Sequence, residues 1–396
     1  MTFGRPLRSL WPLDPELTYL NHGTVGVTPW AVLRAQEALR VAIERNPARF
    51  VLRELSGLNP STAQPLLRQA AQEVATFLGT SGEHLVFVDN ATTGINAVLI
   101  SAPLPEGSEI LISETTYGAV RLAAQAIAEL RGLRVRSFAW PWPPSPEGYL
   151  TALAKALSPQ TRLLILDHIV SETALWLPLG PLAELAHQRG AWVLVDGAHA
   201  PGAIPLAIEA LGVDWYVGNL HKWAMAPRGV GFLWVHPDHQ DSTRHPVFSW
   251  GTPGPFHLRF DWVGTRDPSP FLTAPEGIRF LQELGLAELW DYTHRLAWDA
   301  AQMLSDRWGL AFDVPRSMVG AMVRVPLPLE GDEQAAQALE AELLARQIEV
   351  PIRSTLNRLW ARISCAPYVG PEDLETLAQA VETLRQKFGG SARRPG

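Results

Sequence analysis

Gly218-Asn219-Leu220-His221-Lys222-Trp223-Ala224-Met225-Ala226-Pro227-Arg228-Gly229-Val230-Gly231 is the stretch on which the reading of this chain turns. It follows the apolar run 215–217 and precedes a second one, 231–235. A lysine therefore sits in a turn between two expected strands, inside an apolar neighbourhood. Burial strips the ammonium of hydration, depresses its pKa and makes the amine a usable nucleophile. The plain alternative is a solvated loop lysine. Upstream, residues 191–195 (AWVLV) form a continuous apolar run ending at Asp196, followed by Gly197-Ala198-His199. An acid at the carboxyl end of a buried strand, then a lysine after a later strand, is the arrangement expected around pyridoxal phosphate (PLP). The acid pairs with the pyridinium nitrogen and the lysine holds the aldehyde.

Outward from this centre, short apolar runs alternate with helical spacing. Strands are expected at 85–88, 109–112, 133–138 and 162–166, the last ending at Asp167-His168. Helices are expected at 93–100, 119–130, 149–157 and 181–188, with a short one at 205–211. Such alternation predicts an α/β fold with a mainly parallel sheet covered on both faces, and ligands beyond the carboxyl ends of its strands. Past residue 270 the pattern changes. Helices are expected at 275–284, 294–308, 333–346 and 373–388, and strands at 322–325, 348–353 and 360–365. This predicts a smaller α+β domain. The expected division is a large domain over 31–274 and a small domain made of 1–30 and 275–396. Residues 46–65 are expected to be loop or short helix, and the tail 389–396 to be disordered.

The 396 residues are 47% hydrophobic and 18% charged, which fits a globular chain with a substantial core. A net charge of −7 and the absence of a long basic block argue against a nucleic-acid surface. A single cysteine, Cys365, excludes an intrachain disulfide and a cysteine-based metal cluster, so no metal is expected. No run is apolar enough for a membrane span and the N-terminal stretch lacks a signal-peptide core, so the cytoplasm is the expected compartment.

Asn90-Ala91-Thr92-Thr93-Gly94-Ile95-Asn96 joins a strand to a helix. Small hydroxyl residues at a helix start, with free N–H groups and a favourable dipole, make an anion site suited to a phosphate. An ordinary threonine N-cap is the alternative.

Together these residues resemble the class V aminotransferase family of fold-type I PLP enzymes, in its isopenicillin N epimerase-like branch, related to the cysteine desulfurases. The resemblance runs over nearly the whole chain. It rests on YLNHG (19–23), NATTGIN (90–96), TYGAV (116–120), VDGAHA (195–200), NLHKW (219–223), VGTRD (263–267) and RISCAPY (362–368). It implies the fold-type I architecture, with a large domain built on a mainly parallel seven-stranded sheet. It also implies Lys222 as the Schiff-base residue that moves the Cα proton. Asp196 would partner the ring nitrogen and His199 the ring phenolate. Thr92 and Thr93 would hold the phosphate, with contacts from Asn219 and His221. Tyr117 matches the aromatic residue that stacks on the ring, and Arg362 the clamp for the substrate α-carboxylate. Asn21 and His22 match pocket-lining positions, although His22 fits a structural role equally. The family further implies a homodimer with active sites at the interface, Thr265 reaching the neighbour's cofactor.

The implied substrate is a small amino-acid-like molecule. Epimerisation, β-elimination including C–S cleavage, and transamination all begin with the same proton abstraction. A PLP-binding protein without turnover and a plain α/β domain are the readings outside that set. Desulfurase chemistry is not expected. It needs a thiolate on a mobile loop. The corresponding segment here, 353–359 (RSTLNRL), has no cysteine, and strand alternation turns Cys365 away from Arg362.

Overall fold

The computed structural model describes residues 2–59 and 64–388, so the tail expected to be disordered lies outside the described residues. Two compact units emerge. One is Thr28–Ser171 with Leu177–Glu283, the other Met1–Val27 with Glu172–Trp176 and Leu284–Gly396. The divisions fall at 27/28 and 283/284, where 30/31 and 274/275 are expected. The helix expected from residue 275 starts earlier, as Ser269–Leu284, and carries Pro275 within it. The Glu172–Trp176 excursion has no local signature. It is fixed by a bridge between Leu175 and Val319 and by the Trp176 N–H donating to Met318 O at 2.9 Å.

The large unit is built on seven strands: β1 (Leu85–Val88), β2 (Glu109–Ser113), β3 (Arg134–Phe138), β4 (Thr161–Asp167), β5 (Trp192–Asp196), β6 (Trp215–Asn219) and β7 (Gly231–Val235). Their order across the sheet is β1-β7-β6-β5-β4-β2-β3, and only β7 runs against the others. The central strands read as unbroken Val/Ile/Leu runs because helices cover both faces. Val86, Val88, Ile110, Ile112, Leu163, Ile165, Leu194, Val217 and Leu233 all lie in one core with Ile95 and Val98 of the helix Ala91–Ser101. Edge strand β3 instead carries Arg134 and Arg136 and is partly exposed, a composition that blunts strand addition at an edge. Caps set the helix limits. Asn90 and Ser145 accept N–H groups three residues on, and Gly132 ends the helix Gly118–Arg131 at φ 63°. The expected helix 205–211 is a 3-10 turn, Ile208–Leu211. Residues 46–59 hold a short helix, Pro47–Arg49, and a π-helical turn, Phe50–Glu54.

The smaller unit holds a three-stranded antiparallel sheet: β8 (Met322–Glu330), β9 (Ile352–Thr355) and β10 (Arg358–Ser364), in the order β9-β10-β8. β8 runs well past the expected 322–325, through Pro326 and Pro328. Proline is tolerated there because β8 is an edge, where a missing N–H breaks no ladder. The expected strand 348–353 is split before Ile352. Its first part, Ile348–Glu349, pairs in parallel with Thr18–Tyr19. Segment 353–359, expected as a loop, is the β9–β10 hairpin. Leu356 and Asn357 turn it with φ of 51° and 57°, the backbone of a two-residue type I′ turn. Leu359, Ala361 and Ile363 of β10 are fully buried, while Arg358, Trp360 and Arg362 on the opposite face are half-buried.

Candidate active site

Asp196 ends β5 in the interior, only 5% exposed. Its Oδ1 accepts the Ala198 N–H at 3.0 Å. Its register partner on β4 is a second acid, Asp167. Two buried carboxyls on neighbouring strand ends do not ionise independently. Burial, and then the charge of Asp196, push Asp167 well above the usual carboxylate range. Burial raises Asp196 as well, but the Ala198 N–H and the Lys222 ammonium oppose it. Asp196 is therefore the acid of the pair better placed to stay anionic. Asp167 also accepts the Tyr117 N–H, so it holds the start of the helix Gly118–Arg131 against β4.

Lys222 follows β6 in the tight turn that the sequence predicts. Its Nζ lies 3.4 Å from Nε2 of His199, which is 3% exposed. Lys222 itself is half-buried, so the solvated-loop alternative fails. The turn is pinned on both sides. His221 shares its Nδ1 with Val230 O at 2.9 Å. Its pKa is pushed down to about 4 by burial, with the Val230 bond opposing and the Lys222 and Arg228 charges assisting. The neutral ring thus donates from Nδ1. Asn219 Oδ1 accepts the Ala91 N–H at 2.8 Å and ties the lysine strand to the helix Ala91–Ser101.

At that helix start it is the alternative, a threonine N-cap, that is not met. The cap is Asn90, not a threonine; its Oδ1 accepts the Thr93 N–H at 3.0 Å. With Ala91 bound to Asn219, two first-turn N–H groups are already committed. The hydroxyls of Thr92 and Thr93, both half-buried, are the polar atoms that this turn presents. Gly94 lets the helix approach β6, because a Cβ there would come within 2.7 Å of Val217. Tyr117 is 49% exposed, an aromatic face at the sheet's carboxyl end rather than a core residue. Thr265 is exposed in the loop 263–267. Next to it Arg266 pairs with Asp89 at 2.9 Å, just beyond β1, and Asp267 pairs with Arg40 at 3.0 Å.

The smaller unit gathers the other expected residues by itself. Arg362 Nη2 donates to Thr24 Oγ1 at 2.6 Å. Thr24 donates in turn to Asn21, whose Nδ2 donates to Glu349 at 2.9 Å. His22 is fully buried, with Nδ1 2.9 Å from the Tyr368 hydroxyl. That environment is the structural one of its two expected roles.

Sequence reasoning gave no role to Asp167, His168 or Tyr216. His168 Nδ1 lies 2.8 Å from the Tyr216 hydroxyl, and burial holds this histidine down at about 3. The Tyr216 ring lies so close to residue 197 that a Cβ there would come within 2.2 Å, which accounts for glycine after Asp196. Asp167-His168 at a strand end was the visible signal. Its pairing with Asp196 was not, because strand order is not written locally.

Comparison with known proteins supplies the family. The model of the family described as Aminotransferase class-V matches residues 28–354. The chain belongs to that family. It is 34% identical to isopenicillin N epimerase of Streptomyces clavuligerus, over 94% of this chain and 96% of that protein. It is 28% identical to putative L-cysteine desulfhydrase 1 of Oryza sativa subsp. japonica, over 95% and 85%. Among solved structures, the cystine C–S lyase C-DES in complex with cysteine persulfide superposes with a TM-score of 0.78 at 24% identity, covering 92% of this chain and 97% of that one. The apo cysteine desulfurase of Thermococcus onnurineus gives 0.79 at 19%, covering 98% and 99%. The fold is therefore PLP fold type I, and the chain is a PLP-dependent enzyme. Its donor set fits the cofactor: a buried acid, a half-buried amine and a buried imidazole converge at the strand ends. Among the described residues, no helix is long and apolar enough to cross a membrane, and no cluster of His, Cys, Asp or Glu suits a metal ion.

Proposed function

We propose that this enzyme acts at the α-carbon of a small amino-acid substrate in the manner of an isopenicillin N epimerase, with Lys222 as its Schiff-base residue. The observation that carries the proposal is Lys222 Nζ held 3.4 Å from the buried His199, within the field of the buried Asp196. Bound PLP supplies an electron sink for negative charge at Cα. Asp196 would keep the ring nitrogen protonated, and His199 would donate to the ring oxygen. Tyr117 would cover one ring face. Thr92, Thr93, Asn219 and His221 would hold the phosphate, Asn219 and His221 chiefly by fixing the turn. Lys222 would carry the Cα proton. Arg362 would orient the α-carboxylate, with Asn21 steadying Thr24 beside it and His22 supporting the same segment from within. The large unit would serve as the PLP-binding domain.

We further propose a cytoplasmic homodimer in which Thr265 meets the partner's cofactor phosphate. Val247, Phe248 and Trp250 support this, being 50%, 71% and 82% exposed. Ser249 in the same segment donates to Trp262 O, beside the loop 263–267. A C–S lyase is the second reading, favoured by the desulfhydrase relatives. A persulfide-carrying desulfurase is not favoured. Cys365 is fully buried, its thiol pushed well above the usual range by burial, and its N–H is bound to Ala321 O at 2.8 Å.

The test is a panel of L-amino acids in deuterated buffer, scored for Cα deuterium, inverted product, keto acid and released sulfide. Deuterium uptake with inversion supports the first reading, and sulfide release the second. A PLP-loaded protein that exchanges no Cα proton sinks both.

A further inference from the structure

β8, β9 and β10 present one face that the α-carboxylate clamp does not account for. Antiparallel partners share a face, and residues two apart on a strand share it too. Arg362 is directly opposite Arg324 on β8, and Arg353 is opposite Trp360. Arg324, Arg353, Arg358 and Arg362 therefore stand on the same side, around Trp360. Like charges directly opposite on a sheet repel, so placing Arg324 against Arg362 costs stability unless an anion is shared with them.

Arg324 is the unusual member. Only 11% of its side chain is exposed, and its guanidinium lies 4.6 Å above the Trp360 ring. It reaches across β10 and donates to Thr355 Oγ1 on β9. Among the described residues its acidic partner is Glu172, at a long 3.5 Å and itself 44% exposed. A guanidinium has five N–H donors in a planar fork made for carboxylate or phosphate. Here Thr355 takes one and Glu172 stands loosely by another. Burial lowers the pKa of Arg324, and the Glu172 charge opposes that. The Arg324 head thus sits over Trp360, two residues along β10 from Arg362. Two residues of strand span roughly 7 Å. That is the separation of two carboxylates joined by a short carbon chain.

We propose that Arg324, stacked on Trp360, is a specificity residue that binds a second anionic group of the substrate while Arg362 holds the α-carboxylate. The substrate class is an α-amino acid with an acidic side chain, and Glu172 is the internal anion that the substrate displaces. This rests on the reading of Arg362 given above.

The experiment uses the holoenzyme. Calorimetry compares the unreactive dianions succinate, glutarate and adipate with the monoanion butyrate. Kinetics compares L-glutamate with its neutral isostere L-glutamine. We expect at least one dianion to bind ~10-fold or more tighter than butyrate. Arg324→Gln should cut both the dianion preference and the Glu/Gln ratio of kcat/KM by ~10- to 100-fold, with Arg324→Lys restoring part of each. Glu172→Gln, a change at an exposed side chain, should tighten dianion binding; a purely structural ion pair predicts no gain. Equal binding of dianions and butyrate by the wild type overturns the proposal, as does an unchanged preference in Arg324→Gln or Glu172→Gln. Failure of the catalytic reading looks different: no amino acid would exchange its Cα proton, while calorimetry would still report on the Arg324 subsite.

Discussion

Lys222, Asp196 and His199 make sense only as a set. A half-buried ammonium beside a buried imidazole is tolerable because the Asp196 carboxylate supplies the compensating charge. Of the two neighbouring acids Asp196 is the better placed to carry that charge, because burial and the Asp196 charge raise Asp167, whereas the Ala198 N–H and Lys222 oppose the rise at Asp196. The expected outcome for Lys222→Ala follows. The variant should fold and bind PLP through the remaining contacts, yet lose covalent attachment. Borohydride reduction followed by peptide mapping checks this. In the wild type the reduced pyridoxyl label should fall on Lys222, and a label on Lys155 or Lys387 would refute the assignment.

At the level of elements, the opposite end of the sheet carries its own electrostatic knot. Asp214, just before β6, binds His187 of the helix Leu179–Gln188 and the Val193 N–H through Oδ2, and His239 through Oδ1. Burial alone would raise its pKa. The two histidines and the N–H outweigh burial and bring it from 3.8 to about 2. A depressed carboxylate stabilises the fold above its unfolded pKa and loses that contribution as pH falls through its folded value. The window is therefore about pH 4 down to 2, and the shift corresponds to about 2 kcal/mol. His187, raised by Asp214, adds a term of the opposite sense, full below its unfolded pKa and lost as pH rises through its raised one. Urea midpoints across pH 2 to 5 should show Asp214→Asn less stable by about 2 kcal/mol at the top of that range and converging on wild type at the bottom. Parallel profiles would contradict the assignment.

For the whole molecule, the prediction concerns assembly. Val247, Phe248 and Trp250 form an exposed apolar segment beside the loop 263–267. Such a patch marks an interface more often than bare surface. Sedimentation should give a dimer, and Trp250→Glu should weaken it and lower PLP retention together. A fully active monomer would refute both the interface and the trans role of Thr265.

Apolar runs between turns are local signals, which is why the βα alternation, the lysine turn and the acid ending β5 were all legible in the chain. Sheet coverage on both faces leaves those strands no alternative pattern. Element limits were less legible where tertiary position overrides propensity. Pro326 and Pro328 look like strand breakers, yet β8 survives them because it is an edge. Segment 353–359 looks like a loop, yet it closes as a hairpin because β10 already has a partner in β8. What the sequence could not supply was pairing between distant strands. Residues 167 and 196, or 324 and 362, become neighbours only through strand order and register, which depend on long-range burial. The sequence by itself determined the family and singled out Lys222 as the candidate Schiff-base residue. The tertiary structure decided which second acid stands beside Asp196 and which second arginine stands beside Arg362.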